Sequence, residues 1–66
     1  MAILKVIEIL SSSKKSWEDA TQKAVKKASK SVNTIRSAYV QSQSVTVDGN
    51  SVAEYRVNVK ITFEVK

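Results

Sequence analysis

The 66-residue chain has no cysteine, no histidine and no proline, and only one glycine. Without cysteine there is no disulfide framework, iron–sulfur cluster or thiolate zinc site, and without histidine the commonest general base and metal ligand is missing. Any metal would have to be held by oxygen alone. No nucleophile motif is present, and the nearest pair of carboxylates, Glu18 and Asp19, stands where helix capping explains it. The expectation is a protein that binds or assembles and is not an enzyme. Long apolar runs are also lacking: the stretch that opens Met1-Ala2-Ile3-Leu4 is interrupted by Lys5 and Glu8, too soon for a signal-peptide core or a membrane span. A cytoplasmic chain without a membrane partner is expected.

One domain, residues 1–66, is all this length accommodates. A core of this size usually supplies only ~3–5 kcal/mol, and natural chains then add disulfides, a metal or oligomerisation. Disulfides are excluded here and no cluster of metal ligands is visible, which leaves oligomerisation.

Residues 2–10 read as a first strand, with Ile3, Ile7 and Ile9 on one face and Leu4, Val6 and Leu10 on the other. A strand apolar on both faces is usually covered on both. Ser11-Ser12-Ser13-Lys14-Lys15 reads as a loop by composition. Ser16 has the character of a helix N-cap, with Asp19 three residues on and Glu18 adding negative charge to the first turn. Trp17, Ala20, Ala24, Ala28, Val32 and Ile35 then recur at spacings of three and four, one stripe of a helix about twenty residues long. A second strand is expected from about Arg36 to Val47, a turn at Asp48-Gly49-Asn50, and a third strand over 52–65. In that last segment Ala53, Tyr55, Val57, Val59, Ile61, Phe63 and Val65 alternate with residues that are polar except for Val52.

The fold class is therefore α+β, a β-α-β-β protomer whose three-stranded antiparallel sheet, in order 2-3-1, packs on one helix. A compact domain of this length has a diameter of ~28 Å, whereas strands of twelve to fourteen residues span ~40 Å or more. The hairpin overhangs its own domain, and its exposed edges invite pairing with other copies in a closed homo-oligomer.

Eleven Lys and Arg against six Asp and Glu leave a net charge of +5. Lys14, Lys15, Lys23, Lys26, Lys27 and Lys30 fall in one region, either an ordinary solvated face or one that binds a ligand or polyanion. The polar sheet face lacks the aromatic platforms of single-strand binders, so specific nucleic-acid recognition is not expected.

Several segments together resemble the dodecins, a family of small flavin-binding proteins. They are Lys5-Val6-Ile7-Glu8-Ile9, Ser16-Trp17-Glu18-Asp19-Ala20, Ala28-Ser29-Lys30, and Tyr55 with the alternating strand ending Ile61-Thr62-Phe63. The resemblance covers nearly the whole chain. It implies assembly of β-α-β-β protomers into a hollow dodecamer that binds or stores a small ligand, in this family FMN or riboflavin. It also marks two departures. Where flavin-binding dodecins place a stacking tryptophan at the start of strand 2, this chain has Ser37, and where a glutamine of strand 3 meets the flavin's polar edge it has Arg56. Flavin binding is accordingly expected to be weakened. If Ala38 and Val40 face the core, Ser37, Tyr39 and Arg56 share the opposite face, where the family's pocket would lie. Arg56 suits an anionic ligand; the ordinary alternative is a surface arginine paired with Glu54 or Glu64. Trp17 matches a structural aromatic of the family and is read as packing. The resemblance further implies calcium as a possible ligand, through a branch of the family that lacks the stacking tryptophan. Of the donors Glu8, Glu18, Asp19, Asp48 and Glu54, none forms a loop like an EF-hand.

Overall fold

The structure, a computed structural model, describes residues 2–65, so Met1 of the N-terminal apolar run and the last residue of the expected domain lie outside the described residues. The element order is β1 (Ile3–Ser13), α1 (Trp17–Ala28), β2 (Ile35–Asp48) and β3 (Ser51–Val65). The sheet runs β1-β3-β2 with both pairings antiparallel. This is the expected β-α-β-β sheet, with the chain's most regularly alternating segment in the centre.

The helix begins as its cap residues dictate. The Asp19 backbone N–H donates to Ser16 Oγ at 3.0 Å, and Ser16 itself is extended. The Asp19 carboxylate accepts from Ser13 Oγ at 2.5 Å and pairs with Lys23 at 3.1 Å. One side chain thereby ties the end of β1 to the first turns of α1.

Two expected boundaries are corrected. The helix ends at Ala28 and does not run on to Ile35. Ser29 turns its hydroxyl onto the Lys26 carbonyl, and both Ser31 N–H and Val32 N–H converge on the Ala28 carbonyl. Ser29, Ser31, Asn33 and Thr34 are residue types with low preference for a helix interior, and Thr34 takes a left-handed φ of 59°. Val32 and Ile35 keep the helical spacing but belong to the loop and to β2. The serines 11–13 are not a loop. They extend β1 and pair with Val57, Arg56 and Tyr55, because β3 is long enough to offer ladder partners beyond residue 10.

The helix packs through its alanines. Ala20, Ala24, Ala28, Val57, Val59 and Ile61 are the buried apolar residues, with Ile7, Ile9, Trp17, Val25, Ile35 and Val40 packed around them. Trp17 meets Tyr55 edge to face, with ring centroids 5.1 Å apart, and its Nε1 donates to the Ser44 carbonyl at 3.0 Å. It packs inside the protomer, as expected of a structural aromatic.

The β2–β3 hairpin closes on Gly49-Asn50, with Asp48 opposite Ser51. Gly49 has φ +64° and Asn50 is not in the positive region. That pattern of signs belongs to a type II′ turn, which uses glycine at its first central position. The long strands give the chain principal extents of 50 × 19 × 13 Å and a radius of gyration of 13.5 Å, against ~11 Å for a compact chain of this length. A twelve-residue helix, ~18 Å long, covers little more than a third of the long axis.

Asp19 gives this architecture an acid-sensitive joint. The Ser13 hydroxyl, and then Lys23, hold its carboxyl below the ordinary value. A carboxyl whose pKa is lower folded than unfolded adds stability above the unfolded value near 3.8, and that contribution is lost as pH falls through the folded value. We expect the urea midpoint to drop on acidification below about pH 4, and Asp19→Asn to flatten that drop while lowering the midpoint at neutral pH. Parallel acid limbs in the two proteins would refute the assignment.

Candidate ligand-binding face

The register of the sheet determines which residues share its helix-free face. Val57, Val59 and Ile61 point to the helix, so Arg56, Asn58, Lys60 and Thr62 point away. Beside them β1 contributes Leu4, Val6, Glu8, Leu10 and Ser12, and β2 contributes Ser37 opposite Thr62, Tyr39 opposite Lys60, Ser42 opposite Asn58 and Ser44 opposite Arg56. Ser37, Tyr39 and Arg56 thus lie on one face, the one opposite the core.

A register shift at Gln41 decides part of this layout. Val40 pairs with Val59 and Ser42 with Asn58, leaving Gln41 as the extra residue of a bulge. Without the bulge, Ser42 and Ser44 would fall on the same face as Ala38 and Val40.

The three candidate residues do not converge within one protomer. Ser37 and Tyr39 are neighbours, but the partners of Ser37 and Ser44 on β3 are Thr62 and Arg56. Six strand residues separate these, ~20 Å at ~3.3 Å each. One small molecule cannot touch both ends of that interval on a single chain.

Arg56 is exposed and makes no ion pair among the described residues. Of the two partners considered for it, Glu64 is taken by Arg36, whose Nε donates to Glu64 Oε1 at 3.0 Å and whose Nη2 donates to the same oxygen. Arg36 is itself the extra residue of a bulge between Ile35 and Ser37, and strict alternation gave no sign of that placement. Asn58, midway along the face, has a buried Oδ1 without a hydrogen-bond partner among the described residues. Leu4, Val6, Leu10 and Tyr39 are each more than half exposed. The face therefore combines a cationic, hydroxyl-bearing centre with an uncovered apolar margin along β1.

Sequence reasoning missed a concavity away from that face. Lys5, the loop 31–34 and Phe63-Glu64-Val65 line a cleft of about 380 Å³. Thr34 forms one wall in its left-handed conformation, its carbonyl accepting from Glu64 N–H at 3.1 Å. A β-branched residue rarely adopts that conformation, and no glycine in the sequence marks the turn.

No three acidic side chains among the described residues gather where they could share a metal ion. Asp19 is engaged by Ser13 and Lys23 and Glu64 by Arg36, so the described residues of a single protomer do not gather the multidentate oxygen cage that calcium needs.

The family model for dodecins matches residues 3–66. The chain belongs to the dodecin family. It is 38% identical over 66 residues to the calcium dodecin of Mycobacterium tuberculosis, an alignment covering all of this chain and 93% of that protein. The crystal structure of that relative, described as a calcium-chelating antigen with a novel calcium-binding site, superposes with a TM-score of 0.84 at 37% identity, covering 97% of this dodecin and 91% of the other chain. A point mutant of Thermus thermophilus dodecin gives a TM-score of 0.94 at 24% identity, over 100% and 98% of the two chains. That similarity speaks to the fold of this dodecin alone. No helix among its described residues is long and apolar enough to cross a membrane.

Proposed function

We propose that this dodecin assembles into a closed homododecamer and holds a small ligand where the helix-free faces of neighbouring protomers meet, without catalysing a reaction. One observation carries the reading. The family-matched positions Ser37 and Arg56 share a face but are separated by ~20 Å along it, so a site that uses both must draw them from different copies. The open apolar margin of Leu4, Val6 and Leu10 and the 50 Å length of the protomer supply surface for such contacts.

In this reading flavin is a weak ligand. Ser37 offers no ring to stack on, and loss of an aromatic platform removes ~1–3 kcal/mol by analogy with stacked bases. Arg56 presents a planar cationic fork suited to carboxylate or phosphate. Tyr39, exposed two residues beyond Ser37, is the remaining ring on this part of β2.

Calcium is the second reading, favoured by the full-length similarity to a calcium dodecin. Because the described residues of one protomer gather no such cage, its donors would come from more than one copy. Glu8 and Glu54 lie on the helix-free face, and Asp48 lies beside the hairpin turn.

Native mass spectrometry of the purified protein should show a particle of twelve 7.3 kDa chains, with any tightly held ligand as added mass; a monomer overturns the whole reading. Titrating riboflavin or FMN into that particle should produce little fluorescence quenching, and Ser37→Trp combined with Arg56→Gln should tighten binding about 5- to 150-fold. Tight, saturable quenching by the unaltered protein would contradict the flavin reading. Calorimetry with calcium should give saturable heat that Glu8→Gln or Glu54→Gln reduces; its absence removes the second reading.

A further inference from the structure

The cleft beside the loop 31–34 takes no part in the site on the helix-free face. Phe63 has the parity of Val57, Val59 and Ile61 and so stands on the helix side of the sheet, with Lys5 opposite it on β1 and Ile35 opposite it on β2. A helix continued through the spacing of Val32 and Ile35 would have covered this end of the sheet. Instead α1 stops at Ala28, and a space of about 380 Å³ is left between Lys5, Phe63 and the loop.

The loop is held in place by the protein's own hydrogen bonds. Thr34 keeps its left-handed φ of 59° while its carbonyl accepts from Glu64 N–H at 3.1 Å, and Val32 N–H donates to the Ala28 carbonyl at 2.9 Å. A β-branched residue persists in that conformation only where its surroundings fix it. The lining is mainly apolar, through Phe63, Val32 and Val65, and the loop adds the polar groups of Ser31 and Asn33. Its charges are unequal. Glu64, the one carboxylate among the lining residues, is engaged by Arg36, whereas Lys5 is exposed and makes no ion pair among the described residues. One uncompensated ammonium therefore stands beside an aromatic ring at the edge of an apolar cleft.

We propose that this cleft binds a small aromatic monocarboxylate, with the carboxylate on Lys5 Nζ and the ring against Phe63. A cavity of about 150 Å³ accepts benzene, so this cleft has room for a ring and a short acid arm. Lys5 and Phe63 are directly opposed across two strands, which sets their Cβ atoms ~5 Å apart, and aromatic rings pack on one another edge to face or offset. A single ammonium neutralises a single carboxylate. A second negative charge on the ligand would meet only apolar walls and neutral polar groups, which disfavours phosphate esters and dicarboxylates. One chain forms the whole cleft, so binding here depends neither on a shell nor on the face that carries Ser37 and Arg56.

Calorimetry of the purified protein with phenylacetate tests it. Saturable binding of one molecule per chain is expected, and phenylacetamide, similar in size but neutral, should bind about 10-fold more weakly. Lys5→Gln should weaken phenylacetate about 10-fold and leave phenylacetamide unchanged, so that the two ligands become alike. Lys14→Gln, which removes the same charge just past the other end of β1, should change neither. Phe63→Leu should weaken both ligands and preserve the ratio between them. Circular dichroism and native mass spectrometry of each sample check fold and assembly. No saturable binding to the unaltered protein, equal affinity for acid and amide, equal losses in Lys5→Gln and Lys14→Gln, or full binding by a folded Phe63→Leu variant overturns the cleft. Phenylacetate bound through Lys5 by a protein that forms no closed shell supports the cleft and overturns the shell alone.

Discussion

The protomer depends on a single contact, the seating of an alanine stripe on the centre of a sheet. Ala20, Ala24 and Ala28 bring the helix backbone close to Val57, Val59 and Ile61, and these six are the buried apolar residues among those described. Three of them are the smallest apolar side chain that retains a Cβ. Close approach gives dense packing but little buried area per residue, and hydrophobic stabilisation follows area. A core of this kind holds one helix in place; it cannot also cover both faces of a three-stranded sheet.

The remaining features follow from that limit. The helix lies on one face, so the Leu4, Val6 and Leu10 side of β1 is left without cover inside the chain. The helix is shorter than the strands, so both ends of the sheet extend past it. Apolar margins and unpaired edges of this length are ordinarily buried against another chain, and an antiparallel sheet with one polar-centred face can meet copies of itself through its apolar borders. The small core and the uncovered apolar margin are therefore two consequences of the same alanine contact.

Much of this was legible in the sequence, for identifiable reasons. The strict alternation of 53–65 gave the central strand and its inward face, and Asp48-Gly49 gave the hairpin. Ser16 with Asp19 gave the start of the helix. Its end was obscured because Val32 and Ile35 continue the spacing of three and four by position alone, and periodicity does not register the Ser29 hydroxyl on the Lys26 carbonyl or the convergence of two backbone N–H groups on the Ala28 carbonyl. Ser11–Ser13 looked like a loop because strand propensity is largely a statement about side-chain packing, and there the β3 ladder recruits backbone regardless of side chain. The face shared by Ser37, Tyr39 and Arg56 was anticipated from alternation alone. The Gln41 bulge, the Arg36–Glu64 pair and the left-handed Thr34 were not, because each depends on a register or backbone conformation that only the folded sheet specifies.

The two departures from the flavin-binding pattern act in the same direction. Losing the ring at Ser37 removes apolar stacking, which favours a flat and weakly charged ligand. A guanidinium at Arg56 adds an attraction for negative charge that the neutral ring of riboflavin does not use and that a phosphate such as that of FMN does. A site altered only at Ser37 would bind the same ligand more weakly. In the reading proposed above, a site altered at both positions is better matched to a more acidic molecule, since the fork at Arg56 gains most where it meets a carboxylate or phosphate in a partly desolvated boundary. Asn58, adjacent to Arg56 on the same face, has a buried acceptor without a partner among the described residues. In the proposed reading the chemistry of the face is retuned, with charge in place of stacking.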